Sequence, residues 1–218
     1  MTLFEKLVWT LAVLLFFILS FASLSIDGFN PVIDSIVQSK LAMSGANHDV
    51  TAVLLNFRSL DTMLEVGVIL LALVAIYTIS PHFRYKPLSF SNNMTDTYVA
   101  LVFPPLFLIA LYILNIGTYK SGGAFQAAAL MAGGVIIIKL VKPQFLSNIK
   151  ERMLKFAYVF GLFFFILVGL ATMFNGAFLY YPKEYAYLFI LAIETFLTLS
   201  LGAILAAFFI IGVHRFKA

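Results

Sequence analysis

Cysteine is absent from all 218 residues, which excludes disulfides, thiolate metal sites and cysteine-ligated iron–sulfur clusters in this chain. Histidine is scarce, and His48, His82 and His214 are too widely separated to show a ligand-like spacing. The sequence therefore implies neither a metal site nor a cofactor. Charge is the third shortage, since Asp, Glu, Lys and Arg make up only 11% of the chain where a globular protein carries about a quarter. Apolar side chains take their place, at 62%. A soluble fold cannot wet so much apolar surface. A spanning helix needs about 20 mostly apolar residues, so six would use about 120 and leave roughly a hundred for loops and ends. No sizeable soluble domain fits there, and the composition implies an all-α integral membrane protein with the bilayer as its solvent.

The net charge of +4 does not point to nucleic acid, because no basic run is interleaved with exposed aromatics. It is explained by the retention of Lys and Arg on one side of a membrane. Six apolar stretches predict the spans: Leu7–Ile26, Leu60–Ile79, Tyr98–Gly117, Gly122–Val141, Phe156–Phe174 and Tyr185–Val213. The first has Lys6 before it and small residues after it, as a signal peptide would. Its apolar core runs unbroken from Leu11 through Leu19 and continues on past Phe21, however, and Glu5 sits where a basic region belongs, so a retained helix is the better reading. With both termini in the cytoplasm, ten of the fourteen basic residues fall inside, leaving Lys40, Arg58, Lys120 and Lys183 outside. An odd number of spans would spoil that split.

Two connections are long. Residues 27–57 contain Asn30-Pro31 followed by Ile33, Ile36, Val37 and Leu41, a pattern that predicts a short interfacial helix with proline at its first position. Residues 80–97, with two prolines and a polar cluster, form the natural seam. They divide a two-helix module, 1–80, from a four-helix module, 98–218, with 81–97 as a cytoplasmic linker. Asn93-Met94-Thr95 fits a glycosylation sequon but falls on the cytoplasmic side. Pro104-Pro105 removes two backbone donors early in the third span and is expected to kink or loosen it.

Ionisable residues inside a bilayer are costly and are by default candidates for a site. Arg58, Asp61 and Glu65 cluster at the outer end of the second span, within an arc of about 60° on one helix face. Two readings fit: an ion pair that holds the helix end in register, and a group that exchanges protons or cations. Glu65 is the deepest of the three, and its carboxylate is pulled in opposite directions by desolvation and by any cation nearby. In the sixth span Glu194 is followed by Thr198 and Gly202, a narrow polar and small strip on an otherwise apolar helix. It suits either ion conduction or a static hydrogen bond between helices. Lys139 lies at the inner end of the fourth span, where snorkelling to headgroups is the default. Gly122 and Gly123 open that span, and Ala124, Ala128 and Ala132 recur every four residues along it, a small-residue face for close helix packing. No nucleophile triad or phosphate-binding glycine loop is present.

The stretch Asn47-His48-Asp49-Val50-Thr51-Ala52-Val53-Leu54-Leu55-Asn56-Phe57-Arg58-Ser59-Leu60-Asp61-Thr62-Met63-Leu64-Glu65 resembles the DFRGxDTxxE segment at the C-terminal end of the large subunit of Mrp-type antiporters, which is a separate small subunit in Mrp-linked hydrogenases. It departs from that pattern at Asn56, usually Asp, and Ser59, often Gly. Gly122-Gly123-Ala124-Phe125-Gln126-Ala127, within four spans and with Glu194 in the last, is similar to the MnhB-like family of small subunits in the same antiporters. Together the resemblances imply a fused accessory subunit in a multi-pass arrangement in the inner (cytoplasmic) cell membrane. They imply other Mrp-type subunits as partners, exchange of Na⁺ or another monovalent cation for H⁺, and an ion path that includes Glu65 with Arg58 and Asp61. Lysine relays operate in the proton carriers of such machines, which keeps Lys139 among the candidates. Two alternatives stand beside the antiporter: the membrane arm of a redox-driven complex such as a group 4 hydrogenase, and a purely structural assembly subunit.

Overall fold

The computed structural model describes residues 3–25, 31–44, 48–79, 92–142, 144–145, 149–174, 176–182 and 184–215. Every regular element among them is helical: α1 (Leu3–Ser25), α2 (Pro31–Ser44), α3 (Asp49–Ala52), a π-helical turn (Val53–Phe57), α4 (Ser59–Ile79), α5 (Asn93–Ile116), α6 (Ala124–Val141), α7 (Glu151–Met173) and α8 (Ala186–Arg215). Helices α4 to α8 are each long and apolar enough to cross a membrane. The first predicted span falls on α1, whose stretch Trp9–Ser25 is apolar. The chain is a multi-pass, all-α membrane protein.

Local chemistry sets the ends of these helices. Helix α2 begins at Pro31, where a fixed φ and a missing N–H cost nothing. Helix α5 starts five residues before the predicted Tyr98. The Asn92 side chain accepts from the Thr95 N–H at 2.8 Å, and the Thr95 hydroxyl accepts from the Asn92 N–H at 3.0 Å. This reciprocal cap satisfies two otherwise orphaned donors. It also gives the Asn93-Met94-Thr95 triplet its place, as the first turn of a helix. Pro104 and Pro105 lie inside α5, which continues through them. Of the predicted seam, residues 80–91 lie outside the described residues.

The chain forms two compact units, Met1–Ile36 and Val37–Ala218. The first contains α1, whose described apolar side chains are exposed on every face, among them Trp9, Phe16, Phe17 and Phe21. In the second, α8 is the central helix and packs on α4, α5, α6 and α7. Its Ile190, Ile193, Leu197 and Leu201 form a core with Leu55, Val66, Ala128, Phe165 and Val168. A second cluster joins Leu73, Tyr158, Ile204 and Ala207.

Small residues decide where backbones come close. Ala124, Ala128 and Ala132 of α6 are all buried. The partner of this stripe is α8, where a Cβ on Gly202 would stand 3.4 Å from the Ala128 carbonyl oxygen. Two features read separately from the sequence, the small stripe of α6 and the Glu194-Thr198-Gly202 strip of α8, therefore face each other. Helix α7 meets α8 in the same way. A Cβ on Gly161 would lie 2.6 Å from Ser200 Cβ, and the Ser200 hydroxyl donates to the Tyr158 carbonyl at 2.7 Å.

Candidate functional site

The segment leading into α4 is irregular. His48 is extended, α3 lasts one turn, and the π-helical turn ends at Arg58, whose φ of −127° and ψ of 32° leave the helical region. Side chains hold the break together. The Thr62 hydroxyl donates to the Leu54 carbonyl at 2.7 Å, the Thr51 hydroxyl donates to the Gly117 carbonyl at 2.5 Å, and the Asn56 amide donates to the Ser44 carbonyl at 3.0 Å. π-Helical turns are rare and cluster at functional sites. An ionised carboxylate at position 56 could not make this contact, because it has no proton to donate to a carbonyl.

Between α5 and α6 the chain reverses through Gly122-Gly123. Gly123 has φ +117° and ψ −171°, a region open essentially to glycine alone. A Cβ there would sit 2.9 Å from Glu194 Oε1, so the glycine makes room for that carboxylate. Glu194 is 5% exposed and is the one Asp, Glu, Lys or Arg between Ala186 and Ile211 of α8. The Ala124 backbone N–H, in the first turn of α6, donates to the carboxylate, where the helix N-terminus favours negative charge. One turn along, the Thr198 hydroxyl is tied to the Glu194 carbonyl at 2.7 Å and approaches the Ala124 carbonyl at 3.4 Å.

Glu194 opens onto a cavity of about 270 Å³ walled by His48, Thr51, Leu55 and Thr62 on one side and by Lys120, Gly122, Gly123 and Gln126 on another. Glu194 Oε2 and His48 Nδ1 are both buried and, among the described residues, have no hydrogen-bond partner. The cavity thus joins three segments distant in sequence, 48–62, 120–126 and 194–197. A second cavity of about 390 Å³ lies further along α8, lined by Tyr77, Lys139, Tyr158 and Gly202 among others. The Glu194-Thr198-Gly202 strip starts in the first cavity and ends in the second.

The residues expected from the sequence are distributed unequally over this arrangement. Arg58 and Asp61 form an ion pair at 2.5 Å with side chains 70% and 50% exposed. The pair forms although Arg58 stands at the break before α4 and not inside it. Glu65 is exposed on α4 and does not line the Glu194 cavity. Lys139 Nζ donates to the Phe145 carbonyl at 2.8 Å, beyond the end of α6. His48 is the member that sequence reasoning passed over. It lies within the motif-like stretch, but no spacing to another polar residue distinguishes it.

Fold and site together define a class: a helical membrane protein whose central helix carries one buried carboxylate beside a glycine turn. Residues 94–214, more than half of the chain, match the family described as a domain related to the MnhB subunit of Na⁺/H⁺ antiporter, and the chain belongs to that family. Two solved structures share its fold. One is a chain of the Mrp complex from Dietzia sp. DQ12-45-1b, with a TM-score of 0.69 and 22% identity over 97% of this chain. This chain spans 26% of that longer one. The other is a chain of the membrane-bound sulfane sulfur reductase, an archaeal respiratory membrane complex, with a TM-score of 0.70 and 20% identity, covering 100% of both chains. No curated protein sequence matches this chain.

Proposed function

We propose that this chain is a membrane subunit of an Mrp-type monovalent cation (Na⁺)/proton antiporter complex, that it contributes carboxylates to an ion path, and that it packs against larger proton-channel subunits in the cell membrane with both termini in the cytoplasm. The observation that carries this reading is Glu194, a buried carboxylate that lines a cavity the motif-like segment helps to wall and that has one oxygen without a hydrogen-bond partner among the described residues. A purely structural carboxyl would be expected to spend both oxygens on helix contacts. The exposed Arg58-Asp61-Glu65 face adds a second argument. Glu65 lies in the second turn of a helix apolar enough to span, and lipid cannot solvate it, so a polar surface on a partner subunit must cover it. In this reading Glu65 serves the path where chains meet, Arg58 and Asp61 fix the end of α4 beside it, and Lys139 with Tyr77 and Tyr158 lines the inner continuation.

The test is exchange in membrane vesicles that contain the assembled complex. Glu65→Gln should abolish or strongly reduce cation/proton exchange while leaving assembly intact, and Glu65→Asp should retain part of it. Normal exchange by assembled Glu65→Gln protein would remove Glu65 from the path. One observation favours a second reading, in which the complex is driven by redox chemistry in other chains: the end-to-end structural match is to a chain of a respiratory complex. Purification through a tag on this chain separates the two, because co-purifying iron–sulfur subunits would overturn the stand-alone antiporter.

A further inference from the structure

The second cavity differs in chemistry from the first. Among the described residues that line it, only Tyr77, Lys139 and Tyr158 carry polar side chains, and the rest are apolar side chains and Gly202. Small residues of α8 make the space, since Gly202, Ala203, Ala206 and Ala207 all line it where larger side chains would fill it. The helix ends fix its place in the bundle. Tyr77 lies two residues before the end of α4, Lys139 two before the end of α6, and Leu154 three after the start of α7. The cavity therefore reaches the end of the bundle where α6 stops and α7 begins. That end is basic. Residues 139–155 hold Lys139, Lys142, Lys150, Arg152 and Lys155 against Glu151 alone, a net +4 that equals the charge of the whole chain. Glu151 is engaged by Lys155 at 2.6 Å, and Lys142, Lys150 and Arg152 are exposed.

From Lys139 the lining follows α6 for two turns, to Val135 and Met131. That is a depth of about 12 Å at 1.5 Å per residue, close to one leaflet of a hydrocarbon core about 30 Å thick. Over the same depth a helix from a partner subunit, about 10 Å across, would occupy roughly 900 Å³, more than twice the 390 Å³ present. A single alkyl chain is the narrower occupant. We propose that this cavity binds one acyl chain of an anionic phospholipid whose headgroup rests on Lys139 and the basic start of α7. The apolar walls take the chain, and basic pockets between membrane helices select negatively charged headgroups. The bond from Lys139 Nζ to the Phe145 carbonyl, at 2.8 Å, holds the ammonium by the end of α6, at headgroup depth. Tyr77 and Tyr158, at the same end, suit that interfacial level.

The lipid site stands apart from the ion-path reading, which uses only the polar end of this cavity, so either can fail without the other. The experiment is photolabelling of the assembled complex in phosphatidylcholine vesicles. They contain a trace of phosphatidylglycerol with a diazirine on one acyl chain, and phosphatidylcholine with the same diazirine chain is the reference. Peptide mass spectrometry should place the phosphatidylglycerol label on Met131, Val135, Ala203 or Ala207. It should exceed the reference at least about fivefold, the factor expected from one basic residue beside a headgroup. Lys139→Gln keeps a donor for the Phe145 carbonyl but removes the charge, so it should cut this preference about fivefold, whereas Lys139→Arg should retain it. Ala207→Leu narrows the cavity and should lower the label at Val135 from either lipid; should that variant not assemble, Ala203→Val serves in its place. Equal labelling by the two lipids, a preference indifferent to Lys139→Gln, or a lining that cross-links to a partner subunit and takes no lipid label would each overturn the proposal.

Discussion

Replacing Gly123 with alanine tests the architecture of the site at one atom. Two costs arise together. At φ +117° and ψ −171° a residue with a Cβ stores about 1–3 kcal/mol of backbone strain. The new methyl would also stand 2.9 Å from Glu194 Oε1, so the carboxylate must move and loosen its bond to the Ala124 N–H, a charge-assisted contact worth about 1.5–3 kcal/mol. Part of the second cost is recovered by relaxation into the cavity, so the expected destabilisation is about 2–4 kcal/mol. Gly133 supplies the control. It lies within α6, and a Cβ there meets nothing within 4 Å, so Gly133→Ala should be neutral or stabilising by about 0.5–1 kcal/mol. The assay is retention of assembled, monodisperse complex in detergent after heating, read for both variants beside wild type. Equal thermal behaviour of Gly123→Ala and Gly133→Ala would refute the claim that the Gly123 turn is shaped around the carboxylate.

Two further outcomes follow from the packing. Ala128 is fully buried against α8, so Ala128→Leu should cost about 1–3 kcal/mol through overpacking and reduce recovery of the assembled complex, while full recovery would mean that α6 and α8 can separate freely. Asn56→Asp restores the residue usual in the antiporter motif but removes the donor to the Ser44 carbonyl, so it should lower stability by about 1–3 kcal/mol, and unchanged thermal retention would show that this contact does not hold the segment.

The spans were legible because a bilayer demands long apolar helices, and Tyr185–Val213 and Gly122–Val141 fall within a few residues of α8 and α6. The small stripe of α6 and the polar strip of α8 were legible too, since a four-residue recurrence is a property of one helix. Their mutual contact was not, because spacing along one helix says nothing about which neighbour it meets. The α5 cap was missed for a different reason: hydropathy sees Tyr98 onward, whereas the helix starts at the polar pair Asn92 and Thr95. The cavity was beyond the sequence altogether. It needs a π-helical turn to end the segment before α4, a glycine turn between α5 and α6, and a carboxylate on α8, three separate segments whose distances no local pattern encodes. His48 and Glu65 show the consequence, for the residue passed over lines the cavity and the one that hydropathy favours lies outside it.

The central claim, that a carboxylate in α8 handles ions and does not merely join helices, is tested most directly by exchange in vesicles carrying the assembled complex with Glu194→Gln or Glu194→Asp. A working carboxylate predicts at least about a tenfold loss with Gln, equivalent to about 1.4 kcal/mol, and partial activity with Asp. Wild-type exchange by an assembled Glu194→Gln complex would contradict it.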